Sequence, residues 1–148
     1  ARLQAGTETR AIIHAQPLHL TALSHSPEFA EEDAFSRALY VWQPETIVAI
    51  PEGIGFVPYK LPGSVFQEEA TVKKMLSHRI VVWAKHGVIA ADADLMKAFD
   101  LIDYSEAAAK YCILNRSAGL NSPGLSAENL KKLCGQFNVE SSVPGKLG

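Results

Sequence analysis

The sequence is poor in the residues from which ready-made sites are usually built. It has only two cysteines, Cys112 and Cys134, in 148 residues. That is too few for a disulfide framework, and it leaves no paired-cysteine zinc motif. Both fall within apolar helical patterns, where a free thiol behaves as a small hydrophobe, so both are expected to be reduced, buried and structural. There is no glycine-rich phosphate loop and no Ser/His/Asp nucleophile order. No apolar run approaches the roughly 20 residues that a membrane-spanning helix needs. Nothing at the start resembles a signal peptide, so the expected location is the cytoplasm. Charge of one sign is also missing. Fourteen Lys and Arg residues against sixteen Asp and Glu give a net charge of -2, and the basic residues are scattered. A partner nucleic acid or an anionic membrane would find no basic field to bind.

What is present is enough apolar material, 47% of the chain, for one domain with its own core. Ala1-Arg2-Leu3-Gln4-Ala5 opens without methionine and reads as the end of a helix already under way, which suggests a fragment, a processed chain or a missing upstream segment. Ala11 to Ala15 reads as a buried strand, halted by Pro17. Leu18 to Ser26 and Glu31 to Leu39 have helical spacing. Thr46 to Ile50 reads as a second strand, stopped by Pro51 and Gly53, and Ile54 to Tyr59 as a third. Ser64 with Gln67 forms a capping box that opens a helix to about Ser77. Arg79 to Trp83 and Gly87 to Ala91 form a strand pair or one bent strand, interrupted at Lys85-His86-Gly87. Asp92 is placed to cap a helix running to about Ser117, with Leu95, Phe99, Ile102, Ala109 and Ile113 on its apolar face. Ser126 caps a last helix striped by Leu130, Leu133 and Phe137, and a loose tail is expected from Val139. The order implies a mixed α/β fold in which antiparallel strands carry helices on their faces.

The chemical resource is five histidines: His14, His19, His25, His78 and His86. Neutral imidazole is a borderline-soft donor at physiological pH, and strand ends beside loops are where donors from distant segments converge rigidly. His14 ends one strand. His86 stands between two others and is followed by Gly87, which keeps a side chain out of the space beside it. A lone strand-end histidine is also a common hydrogen-bonded core residue, so spacing alone leaves both readings open. Glu45 and Glu52 flank the second expected strand. Glu52 reads as a turn residue, whereas Glu45 is a candidate carboxylate for proton transfer held near the His14 strand. The acidic stretch Glu28 to Asp33 reads as a solvated loop or helix start. Tyr104 and Tyr111 share a helix face suited to packing.

Ala11-Ile12-Ile13-His14-Ala15-Gln16-Pro17-Leu18-His19 and Trp83-Ala84-Lys85-His86-Gly87-Val88, taken together, resemble the class II aldolase/adducin family. The likeness extends through Ile50-Pro51-Glu52-Gly53-Ile54-Gly55, Val57-Pro58, Leu61-Pro62-Gly63 and Ala98-Phe99-Asp100-Leu101-Ile102-Asp103, up to Phe137-Asn138-Val139. It covers nearly the whole chain but only about the second half of a complete family member. Residues 1–148 are thus expected to be the carboxyl-terminal portion of a single aldolase/adducin-like domain, with 139–148 as its loose tail.

The resemblance implies a class II aldolase-like α/β fold, with a mixed, mainly antiparallel sheet flanked by helices and assembled as a homotetramer. It implies Zn2+ or another divalent metal held by a His-x-His pair and a later His-Gly histidine. His14 matches the first ligand and His86 the last. Gln16 stands where the second histidine belongs, and an amide oxygen is a poorer zinc ligand than imidazole. Either Gln16 coordinates weakly, or His19 swings in as replacement, or the site takes another ion or none. Glu45 matches a secondary active-site carboxylate, while the principal acid/base glutamate and the phosphate loops belong to the missing amino-terminal half. The implied reaction is reversible cleavage of a sugar-phosphate substrate, a ketose 1-phosphate such as L-rhamnulose 1-phosphate, into dihydroxyacetone phosphate and an aldehyde, L-lactaldehyde. The alternatives are a non-catalytic adducin-like scaffold, to which Gln16 points, and a pentulose-phosphate epimerase on the same fold.

Overall fold

A computed structural model describes residues 8–141. Four strands form one sheet in the order β1-β4-β3-β2, with β1 at Ala11–Ala15, β2 at Gly55–Val57, β3 at Ile80–Trp83 and β4 at Gly87–Asp92. β1 runs antiparallel to β4 and β4 antiparallel to β3, while β2 joins β3 in parallel. The sheet is therefore mixed and mainly antiparallel, as expected. Six helices surround it: α1 (Leu18–Leu23), α2 (Glu32–Tyr40), α3 (Pro44–Ala49), α4 (Val65–Met75), α5 (Leu95–Ser117) and α6 (Ala127–Phe137). The opening Ala1 to Ala5 and the tail beyond Ser141 lie outside the described residues.

Alternation along the strands divides the core. Ile80, Val82, Val88 and Ala90 point to one face, where they pack with Leu20 and Leu23 of α1, Phe35 and Leu39 of α2, and Leu101, Ile102, Ala108 and Ala109 of α5. Val57, Val81 and Ala91 point to the other, against Met75 of α4. A smaller cluster of Tyr40, Ile47 and Leu130 ties α3 to α6. The Tyr40 hydroxyl donates to the Ile50 carbonyl, and burial, reinforced by the nearby Glu52 charge, pushes its pKa far above the usual phenol value.

Several local expectations need correction. Thr46 to Ile50 is not a strand but most of α3 and its cap. Pro44 at the first helical turn presets the helix, and the apolar run serves a helix face: Thr46 and Ile47 are fully buried, the Thr46 hydroxyl reaching the Tyr104 carbonyl at 3.4 Å. Tertiary burial overrides the β preference of the branched residues. β2 is only three residues long, because Pro58 ends the ladder. α1 stops at Leu23, short of Ser26. Asp94, not Asp92, caps α5 by accepting from the Lys97 N–H at 2.9 Å. Asp92 instead ends β4, where it pairs with Arg79 at 2.9 Å. The buried stripe of α5 runs through Ala98, Leu101, Ile102, Ser105, Ala108, Ala109 and Cys112, leaving Leu95 and Phe99 exposed. Small residues on that stripe let the long helix lie close to the sheet.

Both serine caps form. Ser126 and Asn129 make a reciprocal capping box. Ser64 accepts from the Gln67 N–H, but the Gln67 side chain accepts from Gly63 rather than from the cap itself. In α6 only Leu130 is buried, and Phe137 is exposed. Cys112 is buried, its thiol pKa raised by desolvation; Cys134 is half-buried, and both are free. Glu52 is more than a turn residue, since it grips the Arg79 guanidinium at 2.7 Å. The acidic stretch is likewise partnered: Glu28 with Arg116, and Glu32 with Lys74.

Candidate functional site

His14 and His86 come from strand ends 72 positions apart in sequence, and the β1–β4 register brings them together. His14 lies opposite Ile89 and Ala15 opposite Val88. The His14 and His86 rings meet edge to face with centroids 5.3 Å apart. Trp83 is wedged against both, 4.8 Å from the His14 ring and 5.2 Å from that of His86. Its own indole N–H donates to the Thr71 hydroxyl of α4 at 2.8 Å, which fixes the wedge.

The hairpin turn makes this possible. Lys85 adopts φ of +65°, a left-handed conformation costly for a non-glycine residue. The turn is held by the His86 N–H donating to the Trp83 carbonyl at 3.0 Å and by the Lys85 N–H donating to the Ser24 hydroxyl at 2.8 Å. Gly87 is required by close approach. A Cβ there would lie 2.5 Å from the Ala15 carbonyl oxygen and 3.1 Å from Gln16 Cγ. The glycine thus lets the end of β1 close on the hairpin, rather than merely sparing room for a ligand.

The nitrogen chemistry fits a bound cation. His14 Nδ1 is 2.8 Å from the Val88 carbonyl. A carbonyl only accepts, so Nδ1 carries the proton and Nε2 presents its lone pair, the arrangement typical of a metal-ligating histidine. His86 Nδ1 is buried with no hydrogen-bond partner among the described residues, and a buried polar atom left in that state calls for a ligand. Gln16 is two residues beyond His14, just past the end of β1, and lines a cleft with His86. Among the described residues no three His, Cys, Asp or Glu side chains are grouped to hold a metal ion. What the structure brings together is two imidazoles, with Gln16 lining the same cleft as His86.

The remaining candidates lie elsewhere. His19 Nδ1 is 2.7 Å from Glu106 Oε1, and the same carboxylate accepts the backbone N–H groups of His19 and Leu20. Glu106 therefore serves as the missing cap of α1, and His19 is engaged with it rather than with Gln16. Glu45 stands in the exposed first turn of α3 and lines a separate cleft with Val48, Tyr104, Leu133 and Phe137. Within one chain it is not brought beside β1. Two clefts do flank His86. One, of about 600 Å³, is lined by Gln16, Thr21 and His25; the other, of about 350 Å³, lies toward α4. Sequence reasoning missed Trp83, the Val88 carbonyl and Glu106. Trp83, three residues before His86 across a turn, was the one with a readable signal.

Residues 1–113 match the model of the Class II Aldolase and Adducin N-terminal domain. The chain belongs to the class II aldolase and adducin family. Among its family relatives, rhamnulose-1-phosphate aldolase of Bacteroides thetaiotaomicron is 37% identical over 137 residues, spanning 93% of this chain and 51% of the relative. The Listeria monocytogenes protein of the same name is 36% identical over 143 residues, 97% of this chain and 52% of its own. The chain thus spans about half the length of the curated relatives it matches. A crystal structure of a sugar-phosphate aldolase from Thermotoga maritima superposes with a TM-score of 0.68 at 35% identity, over 79% of this chain and 49% of that one. An L-fuculose 1-phosphate aldolase, 22% identical with a TM-score of 0.65 over 93% of this chain and 59% of its own, shares the fold. No described helix of this family member is long and apolar enough to cross a membrane.

Proposed function

We propose that this chain is the metal-holding, carboxyl-terminal portion of a carbon–carbon lyase that reversibly cleaves a ketose 1-phosphate, L-rhamnulose 1-phosphate, to dihydroxyacetone phosphate and L-lactaldehyde. The observation that carries the reading is the meeting of two imidazoles with ring centroids 5.3 Å apart: His14, whose Nε2 is left open by the Nδ1 bond to the Val88 carbonyl, and His86, whose buried Nδ1 has no hydrogen-bond partner among the described residues. The rhamnulose-1-phosphate aldolase relatives supply the substrate class.

His14, His86 and the amide oxygen of Gln16 would hold a divalent metal, zinc in the first instance. Such an ion supplies Lewis acidity to the carbonyl and hydroxyl oxygens of the ketose. The chain's residues do the rest. Val88 fixes the His14 tautomer, Trp83 holds both rings in place, and Gly87 lets β1 close against the hairpin. Pre-set donors of this kind lose little order when the ligand arrives. Glu45, in its own cleft on α3, is proposed to handle a proton from a neighbouring copy of the chain, which accords with a homotetramer whose sites lie between subunits. The proposed setting is the cytoplasm and rhamnose metabolism.

One observation favours the scaffold reading: no three His, Cys, Asp or Glu side chains group for a metal among the described residues. Metal analysis of the purified protein separates the two. Near-stoichiometric zinc, lost in His14→Ala and in His86→Ala, together with release of a triose phosphate from L-rhamnulose 1-phosphate, is the expected result. Protein that stays metal-free at saturating zinc supports the scaffold. Turnover without triose phosphate release supports an epimerase.

A further inference from the structure

Helix α4 buries one face and leaves the other bare. Gln67, Thr71 and Met75 are buried on the side that meets the sheet, where Met75 packs with Val57 and Val81. The outward face of a surface helix is normally polar. Here it carries Val65, Val72 and Leu76, which are 64%, 44% and 57% exposed, with Phe66 beside them at 72%. Spacings of seven and four set the first three in a line, and Glu69 falls between Val65 and Val72, so the whole row has the four-three-four spacing of a helix seam. Single exposed apolar side chains are ordinary, but a row of them along one helix marks a contact surface. The charges on this helix are also segregated along its length, with Glu68 and Glu69 in the first half and Lys73 and Lys74 in the second. Lys74 is engaged by Glu32. Glu69 and Lys73 form no ion pair among the described residues, although they stand one turn apart.

We propose that this face of α4 binds the same face of a second copy of the chain, helix antiparallel to helix, about a two-fold axis passing between Ala70 and Thr71. A two-fold contact demands a surface that complements itself when turned end for end. The row meets that demand in both shape and charge. Val65 is set against Leu76 of the second copy, Phe66 flanks the same leucine, and Glu69 reaches Lys73 of the second copy. The axis repeats each contact. Parallel docking would bring Glu69 to Glu69 and Lys73 to Lys73, so charge selects the antiparallel direction. The opposed helix dipoles favour the same choice. This contact is distinct from the one proposed to bring Glu45 to a neighbouring copy, because Glu45 lies on α3. It pairs copies whether or not the lyase reading holds.

The test reads the mass of the full-length protein by light scattering behind size exclusion, over a series of protein concentrations. Glu69→Lys and Lys73→Glu each place like charges across the axis. Each is expected to weaken pairing by about tenfold or more, and so to halve the mass at concentrations where the wild type is paired. An equimolar mixture of the two variants is expected to recover the wild-type mass, because each then supplies the charge that the other lacks. Phe66→Glu is expected to halve the mass as well, without rescue by either partner variant. A wild type no heavier than the variants at every concentration overturns the pairing. A mixture that stays at half mass overturns the antiparallel two-fold. Unchanged mass in every variant, with a lowered Tm for Phe66→Glu, means that the face is covered within its own chain, and that too overturns the proposal. Turnover and zinc content do not enter the readout, so the lyase reading can fail without touching this one.

Discussion

Replacing Gly87 with alanine adds one methyl group where β1 meets the hairpin. The new Cβ would sit 2.5 Å from the Ala15 carbonyl oxygen, whereas even the close carbon–oxygen contacts of sheets lie at about 3.3 Å or more. The end of β1 must therefore withdraw by something near 1 Å. His14 is the next residue along, and its 2.8 Å bond to the Val88 carbonyl spans the same strand pair. A retreat of that size carries the bond past its useful range. Overpacking of this kind costs about 1–3 kcal/mol, and the lost hydrogen bond adds about 1 kcal/mol. At about 2–4 °C per kcal/mol for a domain of this size, the midpoint should fall by roughly 5–15 °C. Calorimetry reads the stability, and elemental analysis of the same sample reads bound zinc, which should fall with it. Gly135→Ala is the control, because among the described residues nothing lies within 4 Å of a Cβ there. In that helical position the same methyl should stabilise by about 0.5–1 kcal/mol. A Gly87→Ala protein that melts and binds zinc like wild type would refute the role assigned to this approach.

Three other outcomes follow from the geometry. Glu106→Ala removes the carboxylate that caps α1 and holds His19, so it should cost about 1–2 kcal/mol in urea unfolding while leaving zinc content unchanged; lost zinc would make His19 part of the site after all. Asp94→Ala should cost about 1 kcal/mol through the α5 cap, and equal stability of variant and wild type would contradict the cap assignment. The raised pKa of Tyr40 means that the folded chain holds the phenolic proton more tightly than the unfolded chain does. That stability is complete below about pH 10 and drains away as pH rises further. Tyr40→Phe should lose about 1–2 kcal/mol at neutral pH, from the Ile50 carbonyl left unpaired, and should show a shallower alkaline decline than wild type. Parallel alkaline slopes would exclude Tyr40 as the source.

Much of the fold was legible because its signals were local. Strand β1, the β3–β4 hairpin, the Ser64 and Ser126 caps and the extent of α5 each rest on periodicity or on a cap that the sequence carries within a few residues. α3 was misread because Thr46-Ile47-Val48-Ala49-Ile50 is apolar and β-branched, and its helical state is decided by α5 and α6, far away in sequence. The buried face of α5 was misplaced for a related reason: small alanines, not the large Leu95 and Phe99, are what a closely packed helix needs. At the site, His14 and His86 were recognisable from their neighbours. The His14 tautomer and the capture of His19 by Glu106 depend on contacts 74 and 87 residues apart, which no window of sequence displays.

The position of β1 at the edge of the sheet has a consequence for how the molecule comes together. Its partner β4 is some 75 residues away along the chain, so closing that loop costs about 4 kcal/mol of chain entropy before any ladder bond is gained. The hairpin of β3 and β4 needs no such closure and can form on its own. Docking of β1 is therefore expected late, and the imidazole pair comes into being only with that step. An ion shared by His14 and His86 would tie the ends of the same long loop. Zinc should then slow the detachment of β1 far more than it speeds its arrival, making the metal a brake on unfolding.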